Sequence, residues 1–256
     1  MKKFFQISLS FLIFILLSLI IILSTKGIET SKFNKIIYQK IENSDNDISL
    51  QLKKIKFKFD IKNFSLFLKT YNPIIKYQKL NLPIQEVRMY LDIFSFIKSK
   101  TKIEKINVIS GEINIDELKK IILKTKPSNL NSLIVNKINK GTLTAELELY
   151  LSENLEIENI IVRGKVKKMS ASIDDNLNLL NTNFDFFADP TDILIKNFNS
   201  NIDGFEIEDG DVRVEKKELI VLKSNFFSKV NIDKENFKKY SKFLKNINNF
   251  DEEKIF

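Results

Sequence analysis

The sequence predicts a mainly β protein: an N-terminal transmembrane helix followed by a curled antiparallel β-sheet, groove-like in form, with a few short helices. Three observations predict it. Residues 4–23 hold no charge over twenty positions. From Ile48 onward, apolar residues recur with a period of two through most of the chain. Helix-period stripes longer than about two turns occur only twice after residue 42, too few to cover one apolar face of more than ten strands.

The uncharged run reads FFQISLSFLIFILLSLIIIL. A helix of that length spans about 30 Å, the hydrocarbon core of a bilayer. Its expected anchor residues are Phe4, Phe5, Phe11, Leu12, Phe14, Leu16, Leu17, Ile20, Ile21 and Leu23. A cleavable signal peptide has a shorter apolar region and a small-x-small cleavage site. Leu23-Ser24-Thr25-Lys26-Gly27 is a poor one, so residues 1–26 are read as a cytoplasmic stub and an uncleaved anchor. Lys2 and Lys3 favour a cytoplasmic N-terminus, with Lys26 pulling weakly the other way. The body of the chain is then expected outside the cytoplasm.

Residues 27–47 come next. In IETSKFNKIIYQKI, Phe33, Ile36, Ile37 and Ile41 share one helical stripe, which predicts a short amphipathic helix before the NSDND turn. Residues 48–232 form the expected β domain. Ile48, Leu50 and Leu52 alternate with polar residues, then Ile55, Phe57, Phe59 and Ile61 alternate in the opposite phase. Such a slip marks a β-bulge or a strand break. It recurs where Leu80, Leu82 and Ile84 give way to Val87, Met89 and Leu91. It recurs again from Leu155 and Ile157 to Ile160 and Val162, then Val166, then Met169, Ala171 and Ile173. The clearest strand is TLTAELELYL at 142–151. Leu143, Ala145, Leu147, Leu149 and Leu151 point one way; Thr142, Thr144, Glu146, Glu148 and Tyr150 point the other.

Further strands are expected near 183–188, 193–198, 201–207, 211–215 and 218–223, separated by Asp189-Pro190, Asp203-Gly204 and Asp209-Gly210. The two helical stretches are 116–125, with Asp116 as N-cap, and 233–250, with Asp233 as N-cap. Residues 233–256 therefore read as a C-terminal amphipathic helix. Asn114-Ile115-Asp116 and Asn231-Ile232-Asp233 precede the two helices alike, which leaves open an internal repeat that begins again at the C-terminus.

Composition excludes much chemistry. With 256 residues the chain holds one sizeable domain or two small ones behind the anchor. It has no Cys, so disulfide staples and thiolate metal sites are excluded. It has no His, the usual general base and metal ligand, and no Trp. The net charge of +8 is spread along the sequence as lysines alternating with apolar residues. That spread is a solvated sheet face, with a weak pull toward anionic headgroups as the functional alternative. No phosphate loop, nucleophile elbow or groove-reading motif is present, so neither catalysis, a cofactor nor nucleic-acid binding is expected. The close carboxylates Glu146/Glu148, Glu206/Glu208 with Asp209, and Asp174/Asp175 read as solvent-facing, without a metal.

The order of elements resembles a known family. An anchor, a short helix and ISLQLKKIKFKF are followed by Tyr71-Asn72-Pro73-Ile74-Ile75, by LPIQEVRMYLDIFSFI at 82–97, and by IEKINVISGEINIDELKKII at 103–122. This is similar to the N-terminal region of AsmA-like bacterial envelope proteins, the group of AsmA, TamB and YhdP. The likeness covers roughly 1–125 well and 126–232 in general β character. It implies a short helical connection at 91–97, an inner-membrane tether, and a periplasmic sheet curled into a taco-shaped groove. Bridge-like proteins of this group carry phospholipid, which implies membrane lipid as the partner and a part in outer-membrane biogenesis or lipid homeostasis. Such proteins are commonly several times longer, so this chain is either a short member or the first part of a longer one.

The physics of the sheet supports the same expectation. Moving one 16-carbon acyl chain through water costs on the order of 12 kcal/mol, and an apolar trough removes most of that. The expected groove residues are Phe57, Phe59, Leu80, Leu82, Leu143, Ala145, Leu147, Leu149, Leu151, Ile160, Val162 and Val166. The alternative is a non-enzymatic adaptor that packs its apolar face internally and docks envelope proteins through exposed strand edges.

Overall fold

The structure is a computed structural model that describes residues 2–31, 34, 48–52, 54–92, 102–154, 156–174, 177–202, 205–216 and 220–229. It begins with helix α1, Lys2–Thr25, uncharged beyond Lys3 and exposed over most of its length. Among the described residues it is the one helix long and apolar enough to cross a membrane, which fits an anchor or a signal sequence.

Beyond α1 the chain is mainly β. Among the described residues a long antiparallel sheet of twelve strands dominates, accompanied by two short helices and a separate three-stranded sheet. Along the large sheet run β1 (Ile28–Thr30), β3 (Ile55–Asp60), β4 (Ser65–Tyr71), β7 (Ile84–Leu91), β8 (Ile103–Ser110) and β10 (Ile138–Leu151). They continue into β11 (Ile157–Asp174), β12 (Leu177–Ala188), β13 (Asp192–Ile202), β14 (Phe205–Lys216) and β15 (Ile220–Lys229). Neighbours in space are mostly neighbours in sequence, the simplest way to pair strands without crossing connections.

Two excursions interrupt this meander. Between β4 and β7 the chain leaves to form β5 (Ile74–Tyr77) and β6 (Leu80–Leu82), which join β2 (Ile48–Gln51) in the small sheet. Between β8 and β10 it forms β9 (Ile113–Asn114), helix α2 (Ile115–Ile122) and helix α3 (Asn129–Lys137). Both helices lie against β10. The Asn114 side chain accepts from the Glu117 amide at 2.9 Å and the Ser128 hydroxyl accepts from the Asn131 amide at 3.1 Å, so each helix has a side-chain N-cap.

Local chemistry explains the turns and irregularities. Asp189 closes the β12–β13 turn: its Oδ1 accepts from the Thr191 amide and hydroxyl and the Asp192 amide, all at 2.7 Å. The phase slip after Val166 is a bulge, with Lys168 at φ +49 and a register shift between Val166 and Met169. Asn181 and Asn197 take the same left-handed conformation in the next two strands. Asparagine tolerates it better than other residues with a Cβ. Asn183 and Asn199 each donate from Nδ2 to the carbonyl two residues back, at 2.7 and 2.8 Å, and Asn183 Oδ1 accepts the Lys168 amide at 3.0 Å. Three adjacent strands thus carry bulges at one level.

Several expectations are corrected. Ile28–Thr30 is a strand rather than the start of a helix, because the edge of β3 offers it a full set of partners; residues 32–33 and 35–47, with the expected stripe Phe33, Ile36, Ile37 and Ile41, lie outside the described residues. Both expected forms of slip occur: the one after Leu52 is a strand break, with β2 in the small sheet, and the one after Ile84 is a register shift inside β7, between Ile84 and Glu86. Asp209-Gly210 is not a turn: β14 runs through it, paired with Phe227 and Phe226 of β15. The N-cap of α2 is Asn114 rather than Asp116. The stretch 84–91 is strand throughout, and the rest of the expected 91–97 connection lies outside the described residues beyond Asp92, as does the helix at 233–250.

The buried apolar residues fall into separate groups. Ile55, Phe59 and Leu91 lie near the first edge of the large sheet, and Ile113, Ile115, Met169 and Ala171 lie near the two helices. Leu50 belongs to the small sheet.

Candidate functional site

The site grows out of the register. In an antiparallel pair, residues directly opposite share a face of the sheet. On β10, Leu147 stands opposite Val108 on one side and Val162 on the other, and Leu149 stands between Ile106 and Ile160. Leu143 pairs with Val166 and Ala145 with Gly164. Toward the first edge the same face passes through Val87 and Met89, then Leu68, then Phe57, and reaches Ile28. Toward the other edge it passes through Phe184, Phe186 and Ala188, then Ile193 and Ile195, then Val212 and Val214, and ends at Leu222. Phe198 stacks on Phe184 at 6.0 Å and meets Phe226 edge-on at 5.7 Å.

The result is one apolar band across eleven strands. At about 4.8 Å per strand it is roughly 50 Å wide. A bilayer core of about 30 Å holds two acyl chains end to end, so the band has room for more than one lipid. It is only partly covered. Phe57, Leu143, Ala145, Leu147, Leu149, Leu151, Ile160, Val162 and Val166 are all half-buried, while Phe59 is buried. At the last strand the band opens further, with Leu222 66 % and Phe226 43 % exposed.

Register brings together the expected residues of β3, β10 and β11. It does not bring Leu80 and Leu82 to them. Those two stand on β6 opposite Tyr77 and Ile75, in the small sheet. Sequence reasoning left out Leu68, Ile106, Val108, Phe184, Phe186, Ile193, Ile195, Val212 and Val214 from the band. All of them show the same alternation, which could have found them.

The opposite face is polar and highly organised. Three of its carboxylates are buried, each between two cations. Glu86 meets Lys69 Nζ at 2.7 Å and Arg88 Nε. Glu148, 7 % exposed, meets Arg163 Nη2 at 2.7 Å and Lys105 Nζ at 3.9 Å. Glu215 meets Lys223 Nζ at 3.0 Å and Arg213 Nε at 3.4 Å. The Tyr150 hydroxyl donates to Glu148 at 2.9 Å, and burial together with that hydrogen bond raises its pKa above the ordinary tyrosine range. Glu146 accepts from Asn107 Nδ2 at 2.6 Å. Lys105 also lies over the Tyr90 ring at 4.6 Å.

Chemically, the apolar band can bind hydrocarbon, and the paired polar face can tie strands together. Among the described residues, no three Asp or Glu side chains stand close enough to hold a metal ion. No protein-family model matches this chain, and neither does any curated protein or any solved structure.

Proposed function

We propose that this chain is a non-enzymatic, membrane-tethered protein that holds or conducts phospholipid along the apolar band of its large sheet. The observation that carries the reading is the continuity of that band. It runs unbroken through β10 and β11 and stays half-exposed there, while the other face is closed by ion pairs. A packed domain would cover such a face with helices or a second sheet. Among the described residues, α2 and α3 lie mainly against β9, β10 and β11.

The aligned bulges at Lys168, Asn181 and Asn197 support a bend across β11–β13, since bulges bend strands and raise local twist. A bent sheet turns the band into a trough. The likeness to AsmA-like proteins adds the setting: a bacterial inner-membrane anchor with a cytoplasmic N-terminus, a periplasmic body, and a role in outer-membrane biogenesis or lipid homeostasis. A second reading, an adaptor that docks envelope proteins, draws on β15, the last strand of the sheet among the described residues, where Ile220 and Phe227 are exposed.

One experiment separates the two. A photo-crosslinking amino acid at position 147 is expected to capture phospholipid, and one at position 146, on the opposite face, is not. Equal capture at both positions, or none at 147, removes the lipid reading and leaves the adaptor.

A further inference from the structure

No linker separates α1 from the sheet. The Gly27 amide donates to the Ile22 carbonyl at 2.8 Å, and Gly27 takes φ +74, the left-handed stop of a helix C-terminus. The next residue, Ile28, already pairs with Phe57 of β3. A Cβ on Gly27 would meet the Phe57 carbonyl oxygen at 2.7 Å and Lys58 Cγ at 2.9 Å, so helix end and sheet edge touch.

β1 and β3 are antiparallel, so past Phe57 the chain of β3 heads back toward α1 and reverses at residues 60–64. From Lys58 to Ile61 is about 10 Å of strand, the length of about seven helical residues. Counted back from Gly27, that distance reaches Ile20. On α1, which lies against β3, Ile20, Leu23 and Ser24 share one side and are partly covered, whereas most of the helix is exposed.

The turn itself is firmly built. Asp60 Oδ1 accepts from the amides of Lys62 and Asn63 at 2.9 and 3.2 Å, and its Oδ2 accepts from Asn63 Nδ2 at 2.8 Å. Phe64 sits at φ +48, a costly conformation for a bulky residue, with its ring edge-on to Phe59 at 5.3 Å. This scaffold presents two apolar side chains to the outside, Ile61 at 63 % and Phe64 at 67 % exposure, flanked by Lys58 and Lys62.

We infer that the β3–β4 turn is a second membrane contact, with Ile61 and Phe64 seated in the lipid interface beside the outer end of α1. Lys58 and Lys62 then meet anionic headgroups. The inference rests on reading α1 as a membrane anchor. A lipid surface is the partner because β3, which leads into the turn, lies against the helix read as the membrane anchor. Its consequence is orientation: the apolar band starts at the membrane, with Ile28 and Phe57 at its lipid end.

The chain contains no cysteine, so single-site labelling is clean. Ile13→Cys, Ile61→Cys, Phe64→Cys and Leu130→Cys are made in the full chain and labelled with a nitrobenzoxadiazole fluorophore. They are reconstituted in phosphatidylethanolamine–phosphatidylglycerol vesicles carrying nitroxide-labelled lipid. Emission is expected to be lost at 13, 61 and 64 and kept at 130, an exposed position on α3, which lies against β10 and β11 rather than β3. The result at 61 is decisive, because Phe64→Cys also removes the Phe59 contact. Loss at 13 without loss at 61 overturns the turn as a membrane contact while the anchor stands. Equal loss at 61 and 130 overturns it too. Emission kept at 13 removes the anchor reading, and this inference with it.

Discussion

Replacing Leu147 with Asp puts a charge in the middle of the apolar band and tests whether that band is open. Leu147 is half-buried, between Val108 and Val162. Burying a whole leucine side chain contributes about 1.5–3 kcal/mol, so losing a half-covered one costs about 1–1.5 kcal/mol. A carboxylate still reached by water adds no large desolvation cost, and the poor strand propensity of Asp adds at most about 1 kcal/mol. The sum is about 1–2.5 kcal/mol. For a domain of this size each kcal/mol lowers Tm by about 2–4 °C, so the expected fall is about 2–10 °C with the cooperative melt intact. In a dry core the same carboxylate would be buried without a partner, at a cost comparable with the whole stability of about 5–15 kcal/mol. The assay is circular dichroism melting of the full chain in detergent, with mass spectrometry of co-purified phospholipid on the same sample. The expectation is a folded variant with less lipid. A variant without a cooperative melt refutes the open face at Leu147 and favours a packed domain.

Glu148→Ala is expected to cost about 2–3 kcal/mol, or about 4–12 °C in Tm, since hydrogen bonds to charged groups are lost and Arg163 and Lys105 lose their shared partner; an unchanged melt refutes a structural role for this cluster. Gly164→Ala is expected to cost about 1–3 kcal/mol by overpacking, because the new methyl would stand 2.3 Å from the Thr144 carbonyl oxygen and 2.6 Å from the Phe186 ring; urea denaturation checks it, and a neutral result means β10 and β11 separate more easily than their pairing implies. Asp60 gives a pH signature. Burial raises its pKa, but hydrogen bonds from the Asn63 side chain and the Asn63 and Lys62 amides outweigh that and hold it below the ordinary aspartate value. A depressed carboxyl contributes stability that is complete above its unfolded value and fades as pH falls through the folded one. The Tm gap between wild type and Asp60→Asn is therefore expected to close below about pH 4, and a gap that persists in stronger acid contradicts the sign.

How much of this was legible depends on what a period of two can encode. It encodes which side of its own strand a residue takes. So Leu143 to Leu151, Phe57 and Ile160 to Val166 fall on one face whatever the pairing, and the slip between Val166 and Met169 locates the bulge at Lys168. Alternation does not encode which strand lies alongside. Leu80 and Leu82 look no different from Leu66 and Leu68, yet β6 pairs with β5 in the small sheet. Strand length is misread for a related reason. Asp-Gly is a strong hairpin signal in isolation, but at Gly210 the ring of Phe226 lies over the residue, so the glycine serves close packing inside a continuous strand. Helix α3 escapes notice because NLNSLIVNK has little amphipathic contrast; Ser128 directly after Pro127 is the available sign. The buried ion pairs are illegible because Glu86, Glu148 and Glu215 alternate like any solvent-facing residues, and only register brings a Lys and an Arg to each.

Those ion pairs bear on how a sheet can keep an apolar face uncovered. A domain normally gains most of its stability by hiding that face, and a face kept for a ligand must be replaced by something else. Isolated surface pairs contribute little, but these carboxylates are buried, and the cations reach them from neighbouring strands as well as from their own. Lys69 comes to Glu86 from β4, Lys105 and Arg163 come to Glu148 from β8 and β11, and Lys223 comes to Glu215 from β15. Each link therefore ties adjacent strands on the side away from the band, and cross-strand pairs of opposite charge contribute roughly 0.2–1 kcal/mol apiece. Cohesion from one face relieves the other of the need to be filled. On this argument stability and ligand binding occupy opposite sides of the same strands, so substitutions at Glu148 should lower Tm without emptying the band of lipid, while substitutions at Leu147 should empty it with the cooperative melt intact. A chain in which the two properties always fall together does not divide its labour in this way.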